Sequence, residues 1–159
     1  MDALYQMKSN DFSAATQMQK DKLFSEAEQR WCTLSAQKGL SARKVDGEIY
    51  KSILYNLEIG KVYLDSKLSL EKFSSIVGTN TTYLSNAVNR YFGCNLKQLV
   101  NRYRIGHAKR LMSEGRCPIT SLYRQCGFAS QSVFYAAFTR EVGMPPLQYR
   151  AQQRNPTQA

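Results

Sequence analysis

The chain has 159 residues, 43% of them hydrophobic, and a formal net charge of +10, a length sufficient for one domain or two small ones. No apolar run reaches the ~18 residues of a membrane span, and the start, MDALYQMKSNDFSAATQMQK, lacks the basic-then-apolar order of a secretory signal, so the expected location is the cytoplasm with no membrane partner. Lys plus Arg balances Asp plus Glu at eight each over residues 1–60 but stands at fourteen to four over residues 61–159, the distribution expected of a polyanion binder rather than of an evenly solvated surface.

Residues 1–45 read as an N-terminal helical segment and linker. Leu23, Phe24, Ala27, Trp31 and Leu34 form a thin apolar stripe at three- and four-residue steps in an otherwise polar helix over residues 1–38. QKGLSARK, Gln37 to Lys44, is the linker by its glycine, serine and charge. An accessory segment, 46–67, opens with Asp46 as the cap of a helix in which Ile49, Ile53 and Leu57 share a face and which Gly60 ends.

Beyond Gly60 the helix signals become dense. Ser69 caps a short helix, LEKFSSIV, which Gly78 stops, and a second helix runs from Thr81 to Phe92 before Gly93. Asn95 and Gln98 make a capping box for a long helix to about Ser113. Its inward stripe is Leu96, Leu99, Val100, Tyr103, Ala108, Leu111 and Met112. Pro118 suits the first position of another short helix that ends at Gly127. Ser130 caps the next helix, to Val142, and Gly143 closes it; Pro145 and Pro146 open a last helix through Tyr149. No alternating strand is present, so the fold class is all-α.

Two of these stretches are copies. Leu70, Phe73, Val77 and Gly78 match Ile119, Leu122, Cys126 and Gly127 at an offset of 49. Leu84, Val88, Arg90, Gly93 and Leu99 match Phe134, Phe138, Arg140, Gly143 and Tyr149 at an offset of 50. Each copy is a short helix, a glycine turn, and a second helix with a polar cap and a glycine stop, which is the order of a helix-turn-helix. The second helices keep apolar residues inward. Outward they present Thr81, Thr82, Ser85, Asn86 and Asn89 in one copy, and Gln131, Ser132, Tyr135 and Thr139 in the other. Short hydrogen-bonding side chains of this kind suit base edges in a major groove. The long helix between them, at ~1.5 Å per residue, is a rod of ~27 Å. It would set the two reading helices near one duplex turn apart, ~34 Å, so one chain could read two adjacent groove segments of double-stranded DNA.

The four cysteines, Cys32, Cys94, Cys117 and Cys126, make no paired metal spacing, and His107 is the only histidine. No metal, no cofactor and no enzymatic activity are expected. Cys94 and Cys126 read as reduced core thiols. A helical protein-interaction module, with its basic charge serving solubility, is the alternative reading.

The segment from about Leu68 to Arg150 resembles the AraC/XylS-type DNA-binding domain of bacterial transcription regulators. The resemblance rests mainly on Gly127, Phe128, Ser130, Ser132, Phe134, Phe138, Arg140, Gly143, Pro146, Tyr149 and Arg150, with NRYRIGHAKRLM as the linking helix. It implies about seven helices over residues 68–153, two helix-turn-helix motifs, and activation through RNA polymerase, with residues 154–159 as a tail. It also implies base reading by Thr82, Ser85 and Asn86 in the first motif, and by Gln131, Ser132, Tyr135 and Ala136 in the second. Ala136 and Thr139 stand where the family often has basic residues, which implies that the second motif either reads bases weakly or contacts mainly the backbone. Arg90, Arg102, Arg104, Arg140 and Arg150 are the candidate phosphate contacts, with internal pairing of some of them as the alternative. Members often carry a large sensing domain, so a stand-alone regulator and the output end of a longer sensor both remain open. The stripe through Trp31 is either a homodimer helix or a lid on the domain, and an accessory packing role is favoured.

Overall fold

The computed structural model describes residues 14–37, 44–115 and 117–154. These residues form eight α-helices and one 3₁₀ turn, with no strand among them. The chain divides into an N-terminal unit, Met1–Gly60, and a C-terminal unit, Lys61–Ala159.

In the N-terminal unit, helices α1 (Ala14–Gln37) and α2 (Lys44–Glu58) pack on each other. Leu23, Ala27 and Trp31 from the α1 stripe are buried, and the rings of Phe24 and Tyr55 meet at 5.8 Å. Gly47 lies so close to the indole that a Cβ there would stand 3.3 Å from the Trp31 ring. Lys51 pairs with Glu28 across the two helices. The stripe is therefore used in packing within this unit. Asp46 is not the helix cap. It lies inside the first turn of α2 and is buried, where its carboxylate meets the positive end of the helix. The expected linker falls largely on residues 38–43, outside the described residues, as do residues 1–13 and 155–159.

The C-terminal unit opens with a 3₁₀ turn, Val62–Leu64, entered through Lys61 at φ 49°. This strap lies inside the segment read as accessory, but α2 stops at Glu58, and the strap packs on the long linking helix instead. Helices α3 (Leu70–Val77) and α4 (Thr81–Phe92) form the first motif; α5 (Leu96–Glu114) links it to α6 (Leu122–Gln125) and α7 (Gln131–Val142); α8 (Pro146–Arg154) follows. With the strap, the unit has seven helical elements among the described residues.

Local chemistry explains most of these bounds. The Ser69, Asn80 and Ser130 side chains accept the backbone N–H groups of Lys72, Tyr83 and Val133 at 3.1, 2.8 and 3.3 Å. Asn95 and Gln98 close the expected capping box at 2.9 and 3.1 Å, satisfying donors that no helical carbonyl can reach. Pro118 departs from expectation. Its carbonyl is taken by the Ser121 N–H at 3.1 Å and by the side chains of Cys117 and Ser121 at 3.3 and 3.2 Å. That closes a turn rather than a helix, and α6 is a single helical turn beginning at Leu122.

The repeat is also a repeat of the core. Phe73 and Leu122, Leu84 and Phe134, and Val88 and Phe138 are matched pairs, and all six side chains are fully buried. In the second motif the rings of Phe128 and Phe134 lie 5.3 Å apart, Phe134 and Phe138 5.7 Å, and Phe138 and Tyr149 5.4 Å. Ile105, Ala108 and Met112 of α5 pack into the same cluster. This aromatic column holds α7 against the linking helix and fixes which face of α7 points outward.

Candidate nucleic-acid interface

On α4 the inward positions are Leu84, Ala87, Val88 and Tyr91. The opposite side carries Thr82, Asn86 and Arg90 at four-residue steps, with Asn89 beside them, all exposed. Ser85 is half-buried at the flank. On α7 the inward positions are Phe134, Ala137 and Phe138. Ser132, Ala136 and Arg140 occupy the same outward line, with Thr139 and Gln131 also exposed. Tyr135 is half-buried, its ring edge-on to Phe134 at 5.8 Å, so the ring packs against the core of the second motif.

Val133 is a further outward residue, one that no cap, turn or repeat signal marks in the sequence. Its side chain is 49% exposed at the start of α7, one position before a core phenylalanine and so off the buried face. A helical wheel drawn on Phe134 and Phe138 would have shown an apolar residue pointing to solvent. The outward surface of α4 is therefore built of hydrogen-bonding groups, whereas that of α7 mixes Ser132 and Thr139 with the apolar Val133 and Ala136.

The arginines divide by role. Arg90 and Arg140 are exposed in the last turns of α4 and α7. Arg150 is half-buried on α8. Arg102 is exposed on α5, with Nε 3.8 Å from the Glu141 carboxylate and Nη1 donating to the Cys94 Sγ at 3.7 Å. Arg104 takes the internal alternative. Its Nε donates to the Tyr63 carbonyl at 2.7 Å and its Nη2 to the Asp65 carbonyl at 2.9 Å. Its guanidinium also lies over the Phe128 ring at 5.4 Å. Burial pulls its pKa below the ordinary arginine range, and the Asp65 charge opposes that shift. Arg104 is an internal clamp that joins the strap, the linking helix and the second motif. The physical reason is that the strap's carbonyls need donors, and the linking helix supplies one with two parallel N–H groups.

Gly127 completes that junction. It has φ 85°, and a Cβ there would stand 2.3 Å from the Tyr63 carbonyl oxygen. Asp65 is tied on its other side by Lys72 and by the Lys67 N–H at 2.9 Å. Those two contacts hold its carboxyl below the usual carboxylate range.

Cys126, buried in the second motif, is not an activated nucleophile. Burial, with the Cys117 thiol nearby, pushes the Cys126 thiol up to about 12, which keeps it protonated at neutral pH. Among the described residues no three His, Cys, Asp or Glu side chains are grouped to hold a metal. No helix among them is long and apolar enough to cross a membrane.

Residues 73–152 match the family model described as a helix-turn-helix domain. The HTH-type transcriptional activator RhaR of Escherichia coli K12 is 31% identical over 87 residues, covering 55% of this chain and 31% of that protein; RhaR of Shigella flexneri matches equally. The matching segment thus spans about a third of the length of these curated relatives. Among solved structures, the C-terminal domain of AraT, a response regulator from Geobacillus stearothermophilus, superposes with a TM-score of 0.59 at 26% identity, covering 66% of this chain and 84% of that one. The DNA-binding domain of AdpA in complex with a target DNA superposes with a TM-score of 0.60 at 19% identity, covering 69% and 97%. That last likeness is one of fold.

Proposed function

The chain belongs to the AraC-type helix-turn-helix family of transcription regulators, and from that premise we propose that it binds double-stranded DNA through α4 and α7 in two adjacent major-groove segments. The observation that carries this reading is the doubled geometry: two capped helices with matched outward lines, on a unit whose sequence holds the whole +10 excess. The linking helix of 19 residues is ~28 Å long at ~1.5 Å per residue, and the thickness of the motifs on either end brings their spacing toward the ~34 Å of one duplex turn.

The two helices read by different chemistry. Asn86 can accept and donate together, matching adenine, with Thr82 and Ser85 at its sides. On α7, Val133 and Ala136 present methyl groups that suit the thymine methyl, with Gln131, Ser132 and the Tyr135 hydroxyl around them. Arg90, Arg102, Arg140 and Arg150 supply backbone attraction. By analogy with RhaR, named an activator, the regulator would raise transcription in contact with RNA polymerase.

Selection of duplexes from a random pool, followed by mobility shift across a salt series, tests the reading. With ~6 phosphates neutralised, log affinity should fall against log salt with a slope of ~−5. A slope near zero on the selected duplex would refute it. Inserting ~5 base pairs, half of the ~10 base pairs per turn, between the two selected segments should remove the contribution of one of them. Unchanged affinity would refute the two-segment reading, and a run-off assay that shows no gain in transcript would refute activation.

A further inference from the structure

Gly106 stands in the middle of the linking helix, where glycine is unfavourable relative to alanine. Packing does not require it, because a Cβ at Gly106 would meet nothing within 4 Å. It lies instead on the floor of a shallow trough of about 350 Å³, lined by Tyr63, Arg102, Tyr103, Gly106, His107 and Arg110. Arg102, Gly106 and Arg110 follow one another at four-residue steps, so the glycine is a saddle between two cations on one line of the helix. A mid-helix glycine that no neighbour demands, in a trough walled by arginines, fits a position where an outside group must approach the backbone closely.

The charges around the trough are unbalanced toward positive. Arg110 Nη2 donates to His107 Nδ1 at 2.8 Å, which fixes the ring as the Nε2–H form, since a guanidinium can only donate. Burial first, then Arg110 and Lys61, hold the His107 pKa below the ordinary histidine range, against a smaller opposing pull from Glu114. Glu141, paired with Arg102, is the carboxylate at the other end. Tyr63 lies across the imidazole at 6.0 Å and beside Tyr103 at 5.8 Å, closing the wall on the strap side.

We propose that this trough is an oxyanion site that takes a phosphate group over Gly106, between Arg102 and Arg110. Tetrahedral oxyanions match forked guanidinium donors, and the Nε2–H of His107 adds a further donor. The phosphate comes either from a free phosphorylated ligand or from the DNA backbone. The first source is independent of the function proposed above, whereas the second rests on it.

His107 is the only histidine in the chain, so its ring resonances report on this site alone. The full chain is titrated by NMR in chloride, then with millimolar sulfate, which stays dianionic across the range, and then with inorganic phosphate, at matched ionic strength so that screening is equal. A bound oxyanion should raise the His107 midpoint by about one pH unit over the chloride control, because a nearby anion favours the imidazolium. Gly106→Leu, which fills the saddle with a good helix former, should abolish that rise. The same variant should keep the fold and melt about 4–8 °C higher, because leucine favours the helix over glycine in a unit of this size. Arg110→Gln should also abolish the anion response.

A rise with sulfate or phosphate in the wild type alone establishes the free-ligand source. A rise only with duplex DNA, together with weaker duplex binding by Gly106→Leu, establishes the backbone source. No rise with any of the three, or an identical rise in Gly106→Leu, overturns the proposal. Failure of DNA binding with a retained sulfate response overturns the DNA reading and leaves the oxyanion site standing.

Discussion

Gly78 and Gly127 hold equivalent places in the two motifs, and both have φ 85°. Alanine at either position must adopt the left-handed conformation, at ~1–2 kcal/mol, offset by ~0.5 kcal/mol from the reduced freedom of the unfolded chain. At Gly78 that is the whole effect, because a Cβ there meets nothing within 4 Å. At Gly127 the new Cβ would stand 2.3 Å from the Tyr63 carbonyl oxygen and 2.8 Å from the Leu64 Cα. Both atoms are backbone, so no side-chain rotation relieves the overlap and the strap must shift. The shift adds ~1–3 kcal/mol of overpacking, and it loosens the 2.7 Å bond that Arg104 makes to the same carbonyl, a charged hydrogen bond worth ~1.5–3 kcal/mol. Gly78→Ala should therefore cost ~1 kcal/mol and Gly127→Ala ~3–7 kcal/mol. For a unit of 99 residues, 61 to 159, the first variant should melt ~4–8 °C below the wild type and the second more than twice as far below. Thermal unfolding followed by circular dichroism, with amide exchange in α7 to assign the loss to the C-terminal unit, makes the comparison. Equal shifts for the two variants would show that the strap does not bear on the second motif.

Arg104→Gln should destabilise the C-terminal unit by ~2–3 kcal/mol in urea unfolding and leave the salt slope of DNA binding unchanged, whereas Arg140→Gln should flatten that slope by about one and barely alter stability; the reverse pattern would return Arg104 to the interface. Asn86→Ala should cost ~1–3 kcal/mol on the selected duplex and relax one base position, with Gln131→Ala costing less; a larger specificity loss from Gln131→Ala would move the main reading role to α7. The Asp65 carboxyl is held below its ordinary pKa in the fold, so its contribution is present above the ordinary carboxylate range and is lost as pH falls through the folded value. Because Asp65 and Lys72 are both more than a third exposed, Asp65→Asn should cost at most ~1 kcal/mol at neutral pH, and its unfolding midpoint should converge with the wild type in acid. A gap that persists below pH ~3, beneath the ordinary Asp pKa of ~3.9, would assign Asp65 a role other than its charge.

The helices of the C-terminal unit were legible because their signals are local. Ser69, Asn80, Asn95 and Ser130 cap by hydrogen bonds that span three residues, and Gly78, Gly93 and Gly143 stop helices by a backbone angle that glycine adopts cheaply. The repeat was legible for a related reason: burying the same inward positions in both motifs requires the same apolar spacing, from Phe73, Leu84 and Val88 to Leu122, Phe134 and Phe138. Pro118 misled because its carbonyl is captured by Cys117 and Ser121 side chains, a competition that helix propensity does not express. Arg104 could not be assigned from the sequence. Its partners lie 41 and 39 residues away, and nothing near Arg104 in the chain distinguishes it from Arg102. Gly127 carried a turn signal, but the approach of the Tyr63 carbonyl to its Cα is set by how the strap crosses the second motif. Local hydrogen bonds and periodicity write themselves into adjacent residues. The junction of strap, linking helix and second motif does not, because its contacts exist only once distant segments of the chain have packed.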